Sequence, residues 1–317
     1  MLYLSENDIE ALGLGPCEVI GAVSQVLRRY AEGSVFQGLK TTVKAPSGNY
    51  FQALPSVLPD RSIASVKWVS IVGGAGGSPS ISATILLTSV SSGRLIAVLE
   101  GGWITASRTA AMSVIGARAF ARPDSRAVGF IGCGVQAVSH LHALKAAFPA
   151  IERVTAFARS QDSALRFCGI ARGQGISAFV ATCPRDAVEG QDIVISSVPA
   201  SGLEVPFLDA NWLGDRSFAS LVDLGRSWIA ETLGSVAVVA TDDRDQSAVL
   251  AAEGKLFHGG PYHYDLAELV KGDPSQFPAA GRRILVFGGM GICDAAVAAL
   301  CYDRAVARSW RRPTNSF

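Results

Sequence analysis

No Cys-x-x-Cys pair occurs among the six cysteines of this 317-residue chain, which are Cys17, Cys133, Cys168, Cys183, Cys293 and Cys301. The four histidines stand apart from them, so no zinc-ligand spacing arises and no metal is expected. Dispersed thiols in a chain of this length read as reduced cysteine, which makes the cytoplasm the expected compartment. Excess charge of one sign is also missing, because 28 lysines and arginines face 27 aspartates and glutamates. A grip on nucleic acid or an anionic membrane needs clustered surplus cation, so neither is an expected partner. Met1-Leu2-Tyr3-Leu4-Ser5-Glu6 has no basic stretch leading an apolar one, and no export signal is expected there. The longest uncharged run, 68–93, is interrupted by Gly73, Gly74, Gly76, Gly77 and Pro79 and makes a poor membrane span. Charged residues make up only 17%, against 49% apolar, which leaves ample core material and little sign of disorder.

What remains is a chain long enough for two medium domains, without repeats, whose glycines sit mainly between apolar runs. Ser5 or Asn7 can cap a first helix, and Ile9, Leu12, Val19, Ile20, Val23, Val26 and Leu27 trace its apolar face onward. Extended runs at 39–45, 50–54, 63–72 and 81–89 follow, separated by turn-rich segments, and read as an antiparallel or mixed sheet. A helix is expected from about 106 to 122, capped by Thr105 and stopped before Pro123. From 126 onward, strand-like runs at 127–131, 154–158, 193–197, 218–222 and 236–241 alternate with helical stretches. That rhythm belongs to a doubly wound parallel sheet of α/β type. An apolar helix at 294–308 closes the chain and is expected to return to the first domain.

The sharpest local signal is Gly132-Cys133-Gly134-Val135-Gln136-Ala137. An apolar strand runs into G-x-G-x-x-A and a helix follows. Gly132 permits a tight turn, Gly134 allows close approach of a pyrophosphate, and Ala137 keeps the helix near the strand. Val135 and Gln136 open that helix, whose free N–H groups suit phosphate. The next strand ends at Ala158, Arg159 and Ser160, with no carboxylate for a ribose 2′-hydroxyl. Arg159 can pair with a 2′-phosphate, so NADP is favoured over NAD; the plainer reading is a solvated surface cation. Ser197, Val198 and Pro199 end a parallel strand, where the nicotinamide half of a dinucleotide would lie.

Four cations invite a functional reading. Lys67 interrupts the apolar Val66-Lys67-Trp68-Val69, and no further charge occurs until Arg94. A buried ammonium there would be costly unless paired, and burial lowers its pKa; it can grip a carboxylate or carry a proton. Arg108, in the first turn of its expected helix, opposes the helix dipole and calls for an anion, from a ligand or from the protein. Lys40 and Lys44, at i and i+4 of one strand, can join on one face. His140 and His142 are read as packing or surface residues, Cys133 as lacking a base to make it a nucleophile, and Arg308, Arg311 and Arg312 as a solvated tail.

Together these pieces resemble the ornithine cyclodeaminase/mu-crystallin family. The likeness runs through Met1–Ser5, Ala53-Leu54-Pro55-Ser56, Val66–Val69, Thr105-Ala106-Ser107-Arg108-Thr109-Ala110-Ala111, the glycine turn, Asp192-Ile193-Val194, Glu268-Leu269 with Gly272, and Gly289-Met290-Gly291-Ile292-Cys293-Asp294. Leu39-Lys40, Lys67-Trp68, Ile131-Gly132-Cys133-Gly134 and Leu256-Phe257 are similar to the branch that oxidises N-(2-amino-2-carboxyethyl)-L-glutamate toward 2,3-diaminopropionate. The resemblance implies a Rossmann-type cofactor domain at 119–293. It implies a second α+β domain, formed by 1–118 and 294–317, that holds the substrate and makes a homodimer. Lys67, Arg108 and, in place of a family arginine, Lys44 would hold the substrate carboxylate, with Met290 and Gly291 near the cofactor. Cyclodeaminases of the family use a loop aspartate whose position falls near Arg226 or Ser227, while Asp223 is three residues early. Hydride transfer at a carbon bearing nitrogen, α to a carboxylate, is the implied chemistry, with Lys67 as proton carrier. The partner is thus a small amino or imino acid. Alternatives are a pyrroline-2-carboxylate (ketimine) reductase, a cyclodeaminase, an alanine-dehydrogenase-like enzyme, and a non-catalytic NADP-dependent binding protein.

Overall fold

The computed structural model describes residues 1–73, 80–199, 205–256, 258–278 and 280–308. The first third contributes β1 (Leu2–Leu4), α1 (Glu6–Ala11), α2 (Pro16–Ala31), β2 (Phe36–Gln37), β3 (Thr41–Lys44), β4 (Tyr50–Leu58), β5 (Ile63–Val72), β6 (Ser80–Ser89), β7 (Leu95–Glu100) and α3 (Gly102–Phe120). Its sheet runs β1-β7-β6-β5-β4-β2, with β3 also paired to β4; only the β1–β7 contact is parallel, so the sheet is mixed. Alternation along β5 buries Ile63, Ser65 and Lys67 on one face and turns Trp68 to the other, where it stacks on Phe51. β4 continues through Pro55, beyond the expected end at 54. Pro55 lies at the break between β2 and β3, and its carbonyl accepts from Gly38, so its missing N–H interrupts no ladder.

The second sheet is entirely parallel, in the order β10-β9-β8-β11-β12-β15-β13-β14. Its elements are β8 (Ala127–Ile131), α4 (Val135–Ala147), β9 (Arg153–Phe157), α5 (Gln161–Gly173), β10 (Ser177–Val180), β11 (Ile193–Ser196), β12 (Phe218–Leu221), β13 (Val238–Thr241), α6 (Arg244–Ala252), β14 (Tyr264–Asp265), α7 (Leu266–Lys271) and β15 (Arg283–Val286). Every residue of β8, β11, β12, β13 and β15 is buried, and β8, β11, β12 and β13 accordingly read as mainly apolar runs without charge. The last element, α8 (Gly291–Ala307), packs on α2, β4 and β5, returning the chain's end to the first sheet.

α3 lies between the two lobes, against α4, α2, α8 and β12, and is buried on most of its circumference. It begins at Gly102, four residues before the expected start, and Thr105 does not cap it. The Glu6 carboxylate does, accepting from the N–H of Gly102 at 2.6 Å and of Trp103 at 2.8 Å. Arg108 is therefore in the second turn, and the anion that satisfies this helix N-terminus is a protein carboxylate. Arg308 donates to the Ala11 carbonyl, whereas Arg311 and Arg312 lie outside the described residues. Among the described residues no helix is long and apolar enough to cross a membrane.

Candidate active site

The glycine turn joins β8 to α4. Gly132 has φ +86°, and a Cβ there would stand 2.7 Å from the Ser197 carbonyl oxygen, so the position demands glycine. Gly134 is the N-cap of α4, with no side-chain cap, and a Cβ at Gly134 would meet no protein atom within 4 Å. An uncapped helix N-terminus beside open space fits a dinucleotide pyrophosphate. Val135 and Gln136 face that space, while Ala137 is buried beneath the turn. Burial pushes the Cys133 thiol up to about 12, so it stays protonated.

That open space is part of a cleft of about 1370 Å³ between the lobes. A pocket for one small ligand encloses roughly 300–1,000 Å³, so this cleft has room for a cofactor and a small acid together. Arg159, Ser197, Val198 and Pro199 line it. Ser160 caps α5 from outside the lining, without a side-chain bond. Met290 is buried as the N-cap of α8, and Gly291 packs against the Leu54 carbonyl; neither lines the cleft. Gly134→Val is expected to leave the melting temperature unchanged, since no protein atom is displaced. Nicotinamide cofactor affinity should fall at least tenfold, read by fluorescence titration.

Lys67 and Arg108 converge, and they converge on Asp294. Lys67 Nζ lies 2.8 Å from both Asp294 carboxylate oxygens, and Arg108 Nε donates to Oδ1 at 2.8 Å. All three side chains are buried. Burial pushes Lys67 down to about 7, with Arg108 adding to the effect and Asp294 opposing it. Burial alone would raise Asp294, but Arg108 and then Lys67 outweigh it and hold the carboxyl below its ordinary range. The guanidinium passes so close to Gly289 that a Cβ there would fall 2.8 Å from its nitrogens. Thr105, 3.5 Å from Lys67 Nζ, stands in the cleft wall, so the trio sits directly behind that wall.

Lys40 joins this group from the segment before β3. Its ammonium donates to the Gly288 carbonyl and faces Asp242, which accepts from Gly289 N–H. Burial brings Lys40 down to about 8, against the pull of Asp242. Lys44 is exposed at the end of β3. The strand begins only at Thr41, so the expected shared face for Lys40 and Lys44 does not exist. His140 is buried in a neutral relay: Nδ1 donates to the Gln136 carbonyl, Nε2 accepts from Ser113, and Ser113 meets Ser220. Burial lowers it to about 4, so it ties α4 to α3 without charge. Sequence reasoning gave Asp294 no role. The signal was present, since Asp294 is the sole charge between Arg283 and Asp303.

The sequence pattern of the ornithine cyclodeaminase/mu-crystallin family matches residues 2–309. The chain belongs to that family. It is 28% identical to the N-((2S)-2-amino-2-carboxyethyl)-L-glutamate dehydrogenase of Staphylococcus aureus, over 96% of this chain and 95% of that one. The structure of Thermococcus litoralis Δ1-pyrroline-2-carboxylate reductase, in complex with NADH and L-proline, superposes with a TM-score of 0.85. It is 27% identical, covering 98% of each chain. An archaeal alanine dehydrogenase dimer with bound NAD gives a TM-score of 0.85 at 25% identity, over 100% of this chain and 99% of that one.

In this member of the ornithine cyclodeaminase/mu-crystallin family, the loop after β12 holds Asp223 buried and turned inward. Its carboxylate accepts from the Ser227 and Ser196 hydroxyls and from Gly225 N–H at 3.2 Å. Burial raises its pKa to about 6, against the lowering effect of those bonds. Arg226 and Asp223 both line the cleft, and Ser227 is buried. Arg226 thus presents a cation to the cleft.

Proposed function

We propose that this chain is an NAD(P)-dependent oxidoreductase of amino or imino acids, acting on the C–N bond next to a carboxylate. The carrying observation is the buried group behind the cleft wall. With all five ionised, Lys40, Lys67 and Arg108 outnumber Asp242 and Asp294 by one positive charge, which one substrate carboxylate neutralises. Membership of the family and likeness to named dehydrogenases and reductases support the same reading. A bound nicotinamide supplies hydride transfer; Gly132, Gly134, Val135, Gln136 and Ala137 would hold its pyrophosphate, with Ser197, Val198 and Pro199 beside the ring.

The chain's own groups do the rest. Arg108, held at Nε by Asp294, has a fixed guanidinium to orient the carboxylate. Lys67, with a pKa near 7, gives a proton to nitrogen during imine reduction and takes one back during amine oxidation. Lys44 stands too exposed to share this burial and would act only at the mouth. Within this class we favour an N-(2-amino-2-carboxyethyl)-glutamate-type dehydrogenase, on the likeness to the Staphylococcus aureus enzyme, with a cyclic ketimine reductase as the alternative; a cyclodeaminase is disfavoured because the loop expected to hold its aspartate presents Arg226 to the cleft. The 1–118 and 294–317 segments form the substrate lobe, and residues 119–293 the cofactor lobe. A homodimer through the first sheet agrees with the exposed apolar Val43 and Trp68 on one of its faces and with the dimeric archaeal relative.

NADP is preferred, through Arg159 at the cleft wall. The test is absorbance of reduced nicotinamide with each cofactor and a panel of amino, cyclic imino and N-carboxyalkyl amino acids. Turnover with NADP(H) is expected. Arg159→Ser should cut the NADP-over-NAD ratio of kcat/KM by roughly tenfold or more, the worth of a charge-assisted pair. Cofactor binding without turnover of any of these acids would sink the enzymatic reading and favour a binding protein.

A further inference from the structure

The segment 223–227 is held more rigidly than a surface loop needs to be. Leu224 and Gly225 both adopt positive φ, +63° and +76°, and for leucine that conformation is uncommon and strained. Asp223 fixes it by accepting from Ser227, Ser196 and Gly225, and the fully buried Trp228 anchors its end by donating to the Ser196 hydroxyl at 2.9 Å. What this turn delivers is Arg226. Its Nε donates to the Asp223 carbonyl at 3.0 Å, which sets the plane of the guanidinium at the cleft wall. Among the described residues no carboxylate forms an ion pair with it. A pre-organised fork with its terminal nitrogens free matches a carboxylate.

The same cleft already has a use for one carboxylate, at the group behind Thr105. Its wall also carries the apolar Val69, Ile71 and Ile81, which suit a hydrocarbon spacer. We propose that Arg226 receives a second carboxylate, so that this site takes amino or imino acids bearing two carboxylates. This rests on the oxidoreductase reading and deepens it.

Matched pairs of equal carbon count test it on the full chain with NADPH. One pair is 2-oxoglutarate against 2-oxopentanoate; the other is oxaloacetate against 2-oxobutanoate, each keto acid with ammonia. The wild-type protein should prefer the dicarboxylate of at least one pair by roughly 30-fold in kcat/KM, the worth of a charge-assisted contact. Arg226→Gln should bring that ratio near one, Arg226→Lys should keep part of it, and the KM for NADPH should hold within twofold. Equal use of both members, or a ratio untouched by Arg226→Gln, overturns the proposal. So does a rise in the KM for NADPH that matches the loss, since the arginine would then serve a cofactor phosphate. If no pair is turned over, the oxidoreductase reading is decided by the wider panel above, and binding decides this proposal. Glutarate raising the melting temperature of wild type more than valerate does, with that excess lost in Arg226→Gln, supports the second carboxylate; equal shifts refute it.

Discussion

Asp294→Asn is expected to destabilise the fold by about 3–5 kcal/mol, the usual cost of removing one partner from a buried ionic group. Two buried cations, Lys67 and Arg108, share that single carboxylate, and its loss leaves them facing each other with little solvent to screen them. Thermal or urea unfolding of the full chain measures the effect. The pH dependence has a definite sign. Because the folded pKa of Asp294 is depressed, its contribution is present above the unfolded value and disappears as pH falls through the folded one. The gap between wild type and variant should therefore hold at neutral pH and narrow only below about pH 4. A variant as stable as wild type at pH 7 would show that the three side chains do not share charge as described.

Lys67→Met should behave in the opposite manner. It leaves Arg108 and Asp294 as a balanced pair, so the protein should fold with near-native stability. Activity should fall by about 10²–10⁴-fold, the range for loss of a general acid–base group. In wild type, kcat/KM for imine reduction should decline as pH rises through about 7, because Lys67 loses the proton it must give. Lys67→Arg keeps the charge but does not titrate in this range, so the limb near pH 7 should vanish. Steady-state rates between pH 5 and 9 decide the matter. Persistence of that limb in the arginine variant would assign it to another group.

The parallel sheet and the glycine turn were legible because their causes are local. Fully buried strands leave continuous apolar runs, and a phosphate turn needs glycine at fixed spacing. β1, β2, β7, β10, β14 and β15 were not read; β1, β2 and β14 hold only two or three residues, and β15 opens on the charged Arg283. The start of α3 escaped because its cap comes from Glu6, 96 residues away from Gly102 in sequence. No local window contains that carboxylate. Lys67 was legible as a lone charge in an apolar run, and Arg108 and Asp294 are lone charges of the same kind. Applying one rule to all three would have paired them. Lys40 was harder, because its inward course depends on the strand beginning one residue later.

The return of α8 to the first sheet has a consequence for how the molecule is made. Asp294 is separated from Lys67 by 227 positions, so a nascent chain carries both cations long before their counter-charge leaves the ribosome. Contacts of such separation form late and slowly. The amino-terminal lobe cannot complete its interior until α8 has been made, and the Lys67–Arg108–Asp294 group closes among the last contacts of folding.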